Sequence, residues 1–206
     1  YVSSDVDVPA RRAAERPDDF AVVVGIEKYS NDLPDARFAE RDAEAARSHF
    51  LALGVPERNI KHLTGTRASK GNLEAYLQDW LPRNVKESGR VFFYFSGHGA
   101  PDPDSGRAYL VPSDGDPGFL EKTSYPVKRL YADLAALKAE RVVVVLDACF
   151  SGAGGRSVLA KGTRPLVGRV DAGLGSAGKL VLFAASSDKE TTGALEDQGH
   201  GVFTYY

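Results

Sequence analysis

The sequence predicts an α/β fold with a central, mostly parallel sheet flanked by helices. Three observations carry this. Uninterrupted apolar runs recur at residues 20–26, 91–95, 142–146 and 180–185, each the length of a strand buried on both faces. Amphipathic stretches of helical period separate most of them, the alternation that right-handed parallel crossovers require. The chain of 206 residues is also long enough to bury about 70% of its unfolded surface in one core without disulfides or metal.

The elements follow in order. Residues 1–19 are polar, carry two prolines and show no period; they read as an N-terminal arm or linker, leaving 20–206 as one domain. The run FAVVVGI at 20–26 suits a central strand. Residues 36–53 space Phe38, Ala43, Ala46, Phe50 and Leu53 along one helical face and close at Gly54. A second strand is expected at 59–63. A helix follows at 69–85, carrying Leu73, Tyr76, Leu77 and Trp80, with Pro82 marking a break or kink. The third strand, 90–95, ends in Ser96-Gly97-His98-Gly99. Beyond a loop rich in Asp, Pro and Gly come a hairpin near 108–111, a helix at 127–137 and a strand at 141–146, which ends in Asp147-Ala148-Cys149. Residues 151–178 are glycine-rich, basic and aperiodic, the pattern of a long mobile loop. After the strand at 180–185, residues 201–206 read as the start of another strand. The chain stops inside it, so the domain is expected to be truncated at its C-terminal end.

Composition narrows the function. A net charge of −2 gives no general reason to bind nucleic acid or acidic membranes, and no apolar run approaches the ~18 residues of a membrane span. One cysteine excludes an internal disulfide and a Cys-rich zinc site, and no cofactor is called for. The chain begins at Tyr1 and contains no Met, which points to a trimmed or processed N-terminus. A soluble protein is expected, the cytoplasm favoured, with a removed leader left open.

The chemistry should lie at the carboxyl ends of the parallel strands. Two reactive side chains stand there in the sequence, His98 just past VFFYF and Cys149 just past VVVVLDA, both among small residues. A lone buried cysteine is ordinarily an inert core residue. A pair at two strand ends is different. If the strands are neighbours, thiol and imidazole face one crevice as nucleophile and base, and a His some 50 residues before the Cys is the order of caspase-type enzymes.

The segments VFFYFSGHGA and VVVVLDACFSG resemble the two catalytic motifs of the caspase-like cysteine peptidases, closer to metacaspases and bacterial orthocaspases than to animal caspases. AVVVGIEKYS, FAERDAEAARSHF and GHGVFTYY match in the expected order, so the resemblance spans residues 20–206. It implies a caspase-like sandwich and amide-bond hydrolysis by a Cys149–His98 dyad, with the backbone N–H groups of Gly99 and Cys149 as oxyanion hole. It also implies an acidic pocket for the residue before the cleaved bond, the matching positions being Asp42 and Asp147 with Ser96 alongside. Such a pocket selects Arg or Lys, so the expected partners are proteins or peptides with a basic residue there. Arg37 lies near where an Asp-selecting arginine would stand, and Arg41 adjoins Asp42. An enzyme of this specificity could clip its own 151–178 loop at Arg156, Lys161, Arg164 or Arg169.

Other signals carry less. Gly173, Gly175 and Gly178 before Lys179 spell a phosphate-loop pattern, but a strand follows where a helix is needed. His200 in a second Gly-His-Gly rivals His98 as base but follows no apolar strand; His49 and His62 read as helix-face and strand-end residues. Asp102, Asp104, Asp114 and Asp116 are acidic turn residues whose spacing is not that of an EF-hand, so calcium activation, implied by the resemblance for many members, has no clear site. The alternative function is a non-catalytic caspase-like scaffold or interaction module.

Overall fold

The computed structural model describes residues 4–102, 105, 107–148, 150, 178–185 and 194–206. Five strands form its central sheet: β1 (Phe20–Gly25), β2 (Ile60–Thr64), β3 (Arg90–Ser96), β7 (Arg141–Asp147) and β8 (Leu180–Ala184). Their order is β2-β1-β3-β7-β8 and every pairing is parallel. A second small sheet is antiparallel, built from β4 (Gly99–Pro101), β5 (Ala108–Leu110) and β6 (Tyr125–Pro126).

Helices cover both faces of the main sheet, which is why β1, β3 and β7 are uninterrupted apolar runs. On one face α1 (Ala39–Ala52) packs Ala43 and Phe50 against Ala21, Val23, Phe92 and Tyr94. On the other, Val22, Val24, Phe93, Phe95, Val144 and Leu146 meet Leu73, Leu77 and Leu81 of α2 (70–84) and Leu130 and Leu134 of α3 (Val127–Ala136). Each such fully buried side chain contributes about 1.5–3 kcal/mol.

Three boundaries differ from expectation for local reasons. Helix α1 starts at Ala39 rather than 36, because Phe38 adopts a left-handed φ of 65° that no helix interior accommodates. Helix α2 is not broken at Pro82. Its middle, Ala75–Trp80, is wound as a π-helix, and Pro82 stands in the first turn of the closing segment Leu81–Asn84, where a missing N–H is tolerated. The strand expected at 201–206 is a correction. A two-residue strand, β10 (His200–Gly201), pairs with β9 (Ala194–Leu195) and passes directly into α4 (Val202–Tyr205). Val, Phe, Thr and Tyr favour a strand locally. In the fold, the helical turn instead carries the Thr204 hydroxyl to Asp147 and Tyr94.

The N-terminal arm lies against the domain. The Ala13 and Arg16 N–H groups donate to the carbonyls of Ala52 and Gly54, and the Val6 carbonyl meets His49 Nε2 at 2.8 Å. Residues 151–177 of the expected loop, including Arg156, Lys161, Arg164, Arg169, Gly173 and Gly175, lie outside the described residues.

Candidate active site

Three strands end level with one another. Gly25 of β1 is the register partner of Ser96 of β3, and Ser96 in turn is the partner of Asp147 of β7. Just beyond that edge the Gly97 N–H reaches the Asp147 carbonyl at 3.3 Å, tying the ends of β3 and β7 together where they leave the sheet.

His98 is fully buried and held from several sides. Its carbonyl accepts the Val111 N–H at 3.0 Å, and its own N–H donates to the Tyr29 hydroxyl at 2.7 Å. The Tyr29 ring lies 4.7 Å from the imidazole, tilted by 32°. Nε2 lies 2.5 Å from the Pro34 carbonyl oxygen. A carbonyl only accepts, so Nε2 donates and the lone pair of the neutral ring resides on Nδ1. Sequence reasoning missed Pro34 because the orienting group is main chain and leaves no side-chain signature. Gly99 is buried at the start of β4. Cys149 lies outside the described residues.

The three expected pocket residues, Asp42, Ser96 and Asp147, are each wholly buried. Ser96 Oγ donates to Asp42 Oδ2 at 3.3 Å. Asp42 also accepts from His200 Nδ1 at 2.8 Å and from the Gly201 N–H at 3.1 Å to both oxygens. Asp147 Oδ2 accepts the Thr204 hydroxyl at 2.7 Å, and Thr204 Oγ1 is 2.6 Å from the Tyr94 hydroxyl. Residues 200–204 thus cover both carboxylates.

His200, weighed above as a rival base, is a partner of the acidic group. Its Nε2 is 3.1 Å from Asp7 Oδ1, and Asp7 pairs with Arg41 at 2.6 Å. Burial raises the Asp7 carboxyl, but hydrogen bonds from Arg41 and the Ser4 N–H, with the charges of Arg41 and His200, outweigh it and hold the group below its usual range. Arg37 is more than half exposed, pairs with Glu196 and lies over the Phe38 ring. His62 stands mid-strand in β2, and burial lowers its pKa.

Among the described residues, no group of three or more His, Cys, Asp or Glu side chains could hold a metal ion. Asp114 instead accepts the Lys70 N–H, Asp116 caps Gly118, and Asp102 takes the Ser105 N–H. Asp104 lies outside the described residues. Among the described residues no helix is long and apolar enough to cross a membrane.

A parallel sheet with helices on both faces, with His98 and two buried carboxylates at its carboxyl edge, is the frame of a caspase-like protein. The family model for the caspase domain matches residues 18–206, and the chain belongs to that family, whose members are cysteine-type peptidases acting on proteins. Among solved structures, protein GSU0716 from Geobacter sulfurreducens superposes with a TM-score of 0.66 at 17% identity, covering 91% of this chain and 79% of its own. The Drosophila initiator caspase Dronc gives a TM-score of 0.43 at 12% identity over 68% of this chain and 58% of its own. No curated protein sequence matches the chain.

Proposed function

We propose that the protein is a cysteine endopeptidase that hydrolyses peptide bonds after Arg or Lys, with Cys149 as nucleophile and His98 as proton carrier. The observation that carries this reading is the register of β3 and β7. Ser96 and Asp147 are cross-strand partners, and His98 and Cys149 each follow one of them by two residues. The Pro34 carbonyl at Nε2 favours the tautomer in which Nδ1 takes the thiol proton.

The Cys149 thiolate attacks the scissile carbonyl, and the N–H groups of Gly99 and Cys149 hold the oxyanion. The His98 imidazolium then gives its Nδ1 proton to the departing amine as the C–N bond breaks. Water attacks the thioester while giving a proton to Nδ1, and the thiolate is released with the acid product. Asp42 and Asp147, with Ser96 alongside, supply the negative field that selects a basic side chain. In the 151–178 loop the same preference directs self-cleavage to Arg156, Lys161, Arg164 or Arg169.

One observation favours a second reading. Asp42 and Asp147 have no exposed surface beneath residues 200–204, as befits a non-catalytic scaffold whose carboxylates are structural. One experiment separates the two. Fluorogenic peptides ending in Arg, Lys or Asp are assayed with the wild type and Cys149→Ala, with and without calcium, and the protein itself is followed on gels. The peptidase reading expects turnover of Arg and Lys peptides at least about 100-fold above Asp, because a third carboxylate brought beside Asp42 and Asp147 is repelled while a cation is attracted. Cys149→Ala abolishes it. No turnover of any peptide establishes the scaffold reading, and identical fragments from both proteins refute self-cleavage.

A further inference from the structure

We propose that Tyr29 is a positioning residue for His98, fixing the imidazole through its main chain and its ring at once. The kinetic part of this proposal rests on the peptidase reading above; the geometric part does not.

Tyr29 sits in the segment that leaves β1 and leads to α1. Its hydroxyl accepts the His98 N–H at 2.7 Å, and its ring stacks on the imidazole at 4.7 Å. The same segment supplies the Pro34 carbonyl to Nε2, so one loop holds His98 at its backbone, its ring face and one ring nitrogen. The loop is itself anchored. The N–H groups of Ile26, Ser30 and Ala36 donate to the carbonyls of Ser96, Ser113 and Glu27 at 3.0, 2.9 and 2.9 Å. Asn31 Nδ2 donates to the carbonyls of Asp114 and Gly115 at 3.3 and 3.0 Å.

Gly97 fits this arrangement. A Cβ built on it would stand 2.8 Å from the Tyr29 hydroxyl, so the residue between Ser96 and His98 must be small for the hydroxyl to reach the His98 N–H. The Ser-Gly-His motif and the tyrosine eight residues before Arg37 are therefore two halves of one contact. The electron-rich face of Tyr29 favours the imidazolium over the neutral ring, and the imidazolium is the form that His98 adopts when it takes the thiol proton. Tyr29 is one titratable partner of His98, and the proposed dyad adds Cys149.

Two variants separate ring from hydroxyl. Tyr29→Leu removes both; Tyr29→Phe keeps the ring. The His98 imidazole titration is followed by NMR, with its signal assigned by its absence in His98→Ala. In Tyr29→Leu the His98 midpoint is expected to fall by about half a pH unit, the loss of one ring–cation contact. In Tyr29→Phe, exchange of the His98 amide is expected to quicken at least about tenfold for want of its acceptor. An unmoved midpoint in Tyr29→Leu, or unchanged amide protection in Tyr29→Phe, overturns the proposal; if Tyr29→Leu unfolds, Tyr29→Phe alone decides. Because Cys149 is the chain's one cysteine, its alkylation by iodoacetamide against pH reports the dyad separately. Tyr29→Leu should move thiolate formation upward by about half a unit. If wild type and His98→Ala alkylate alike, near the free-thiol midpoint of about 8.5, the dyad fails. The His98 titration then still decides the fate of Tyr29.

Discussion

His200 stands between two carboxylates, and only one of them is sealed from water. The Asp42–His200 pair has no side-chain exposure on either partner, whereas Asp7 is about a quarter exposed. His200→Ala takes one hydrogen-bond partner from a carboxylate that water does not reach, so it should lower unfolding stability by about 3 kcal/mol. Asp7→Ala, at the screened side of the same ring, should cost about 1 kcal/mol or less. Urea titration of both variants checks the order, and equal losses would mean that burial does not set the cost. The place of His98 just past β3 was legible in the sequence, because a residue that follows an apolar strand can be located without knowledge of the rest of the chain. The partnership of Asp42 with His200 was not, because it joins residues 158 positions apart. Nor was the Pro34 carbonyl, since every residue in the loop carries the same group.

The strands of the main sheet were legible almost to the residue, β1 and β3 most plainly, because burial on both faces leaves them almost no polar position to blur the pattern. Expectation failed where contacts overrule local preference, as in the helical turn at Val202–Tyr205 that brings Thr204 to Asp147. The contact of β1 with α1 is the tightest test of packing between elements. A Cβ on Gly25 would stand 2.5 Å from the Ala39 carbonyl oxygen and 2.6 Å from the Ala43 Cβ. Gly25→Ala should therefore cost about 1–3 kcal/mol through overpacking. On the proposed peptidase reading it should also slow peptide turnover, because Tyr29 and Pro34 lie on the chain between those two elements. Thermal melts and peptide turnover of the variant check both parts; wild-type stability would show that α1 shifts freely.

For the molecule as a whole, the response to alkali can be derived from two tyrosines. Burial, first, and the hydrogen bond to Asp133 raise the Tyr125 phenol well above its ordinary pKa, and burial alone raises Tyr131. Below about pH 10 folded and unfolded chains hold these protons equally. Above it the unfolded chain releases them first, so the stability they contribute declines as pH rises toward their folded values. Urea midpoints from pH 8 to 11.5 should be level and then fall, with a shallower decline in Tyr125→Phe/Tyr131→Phe; equal slopes in the two proteins would contradict the assignment.

The closure over Asp42 and Asp147 also has an order in time. Both carboxylates belong to segments synthesised well before residues 200–204, and chains emerge N-terminus first. A bond across 158 residues carries a large loop-closure cost and must wait for its far end. The two carboxylates therefore acquire the partners that residues 200–204 supply only when that turn has left the ribosome, and a nascent chain lacks this cover until then.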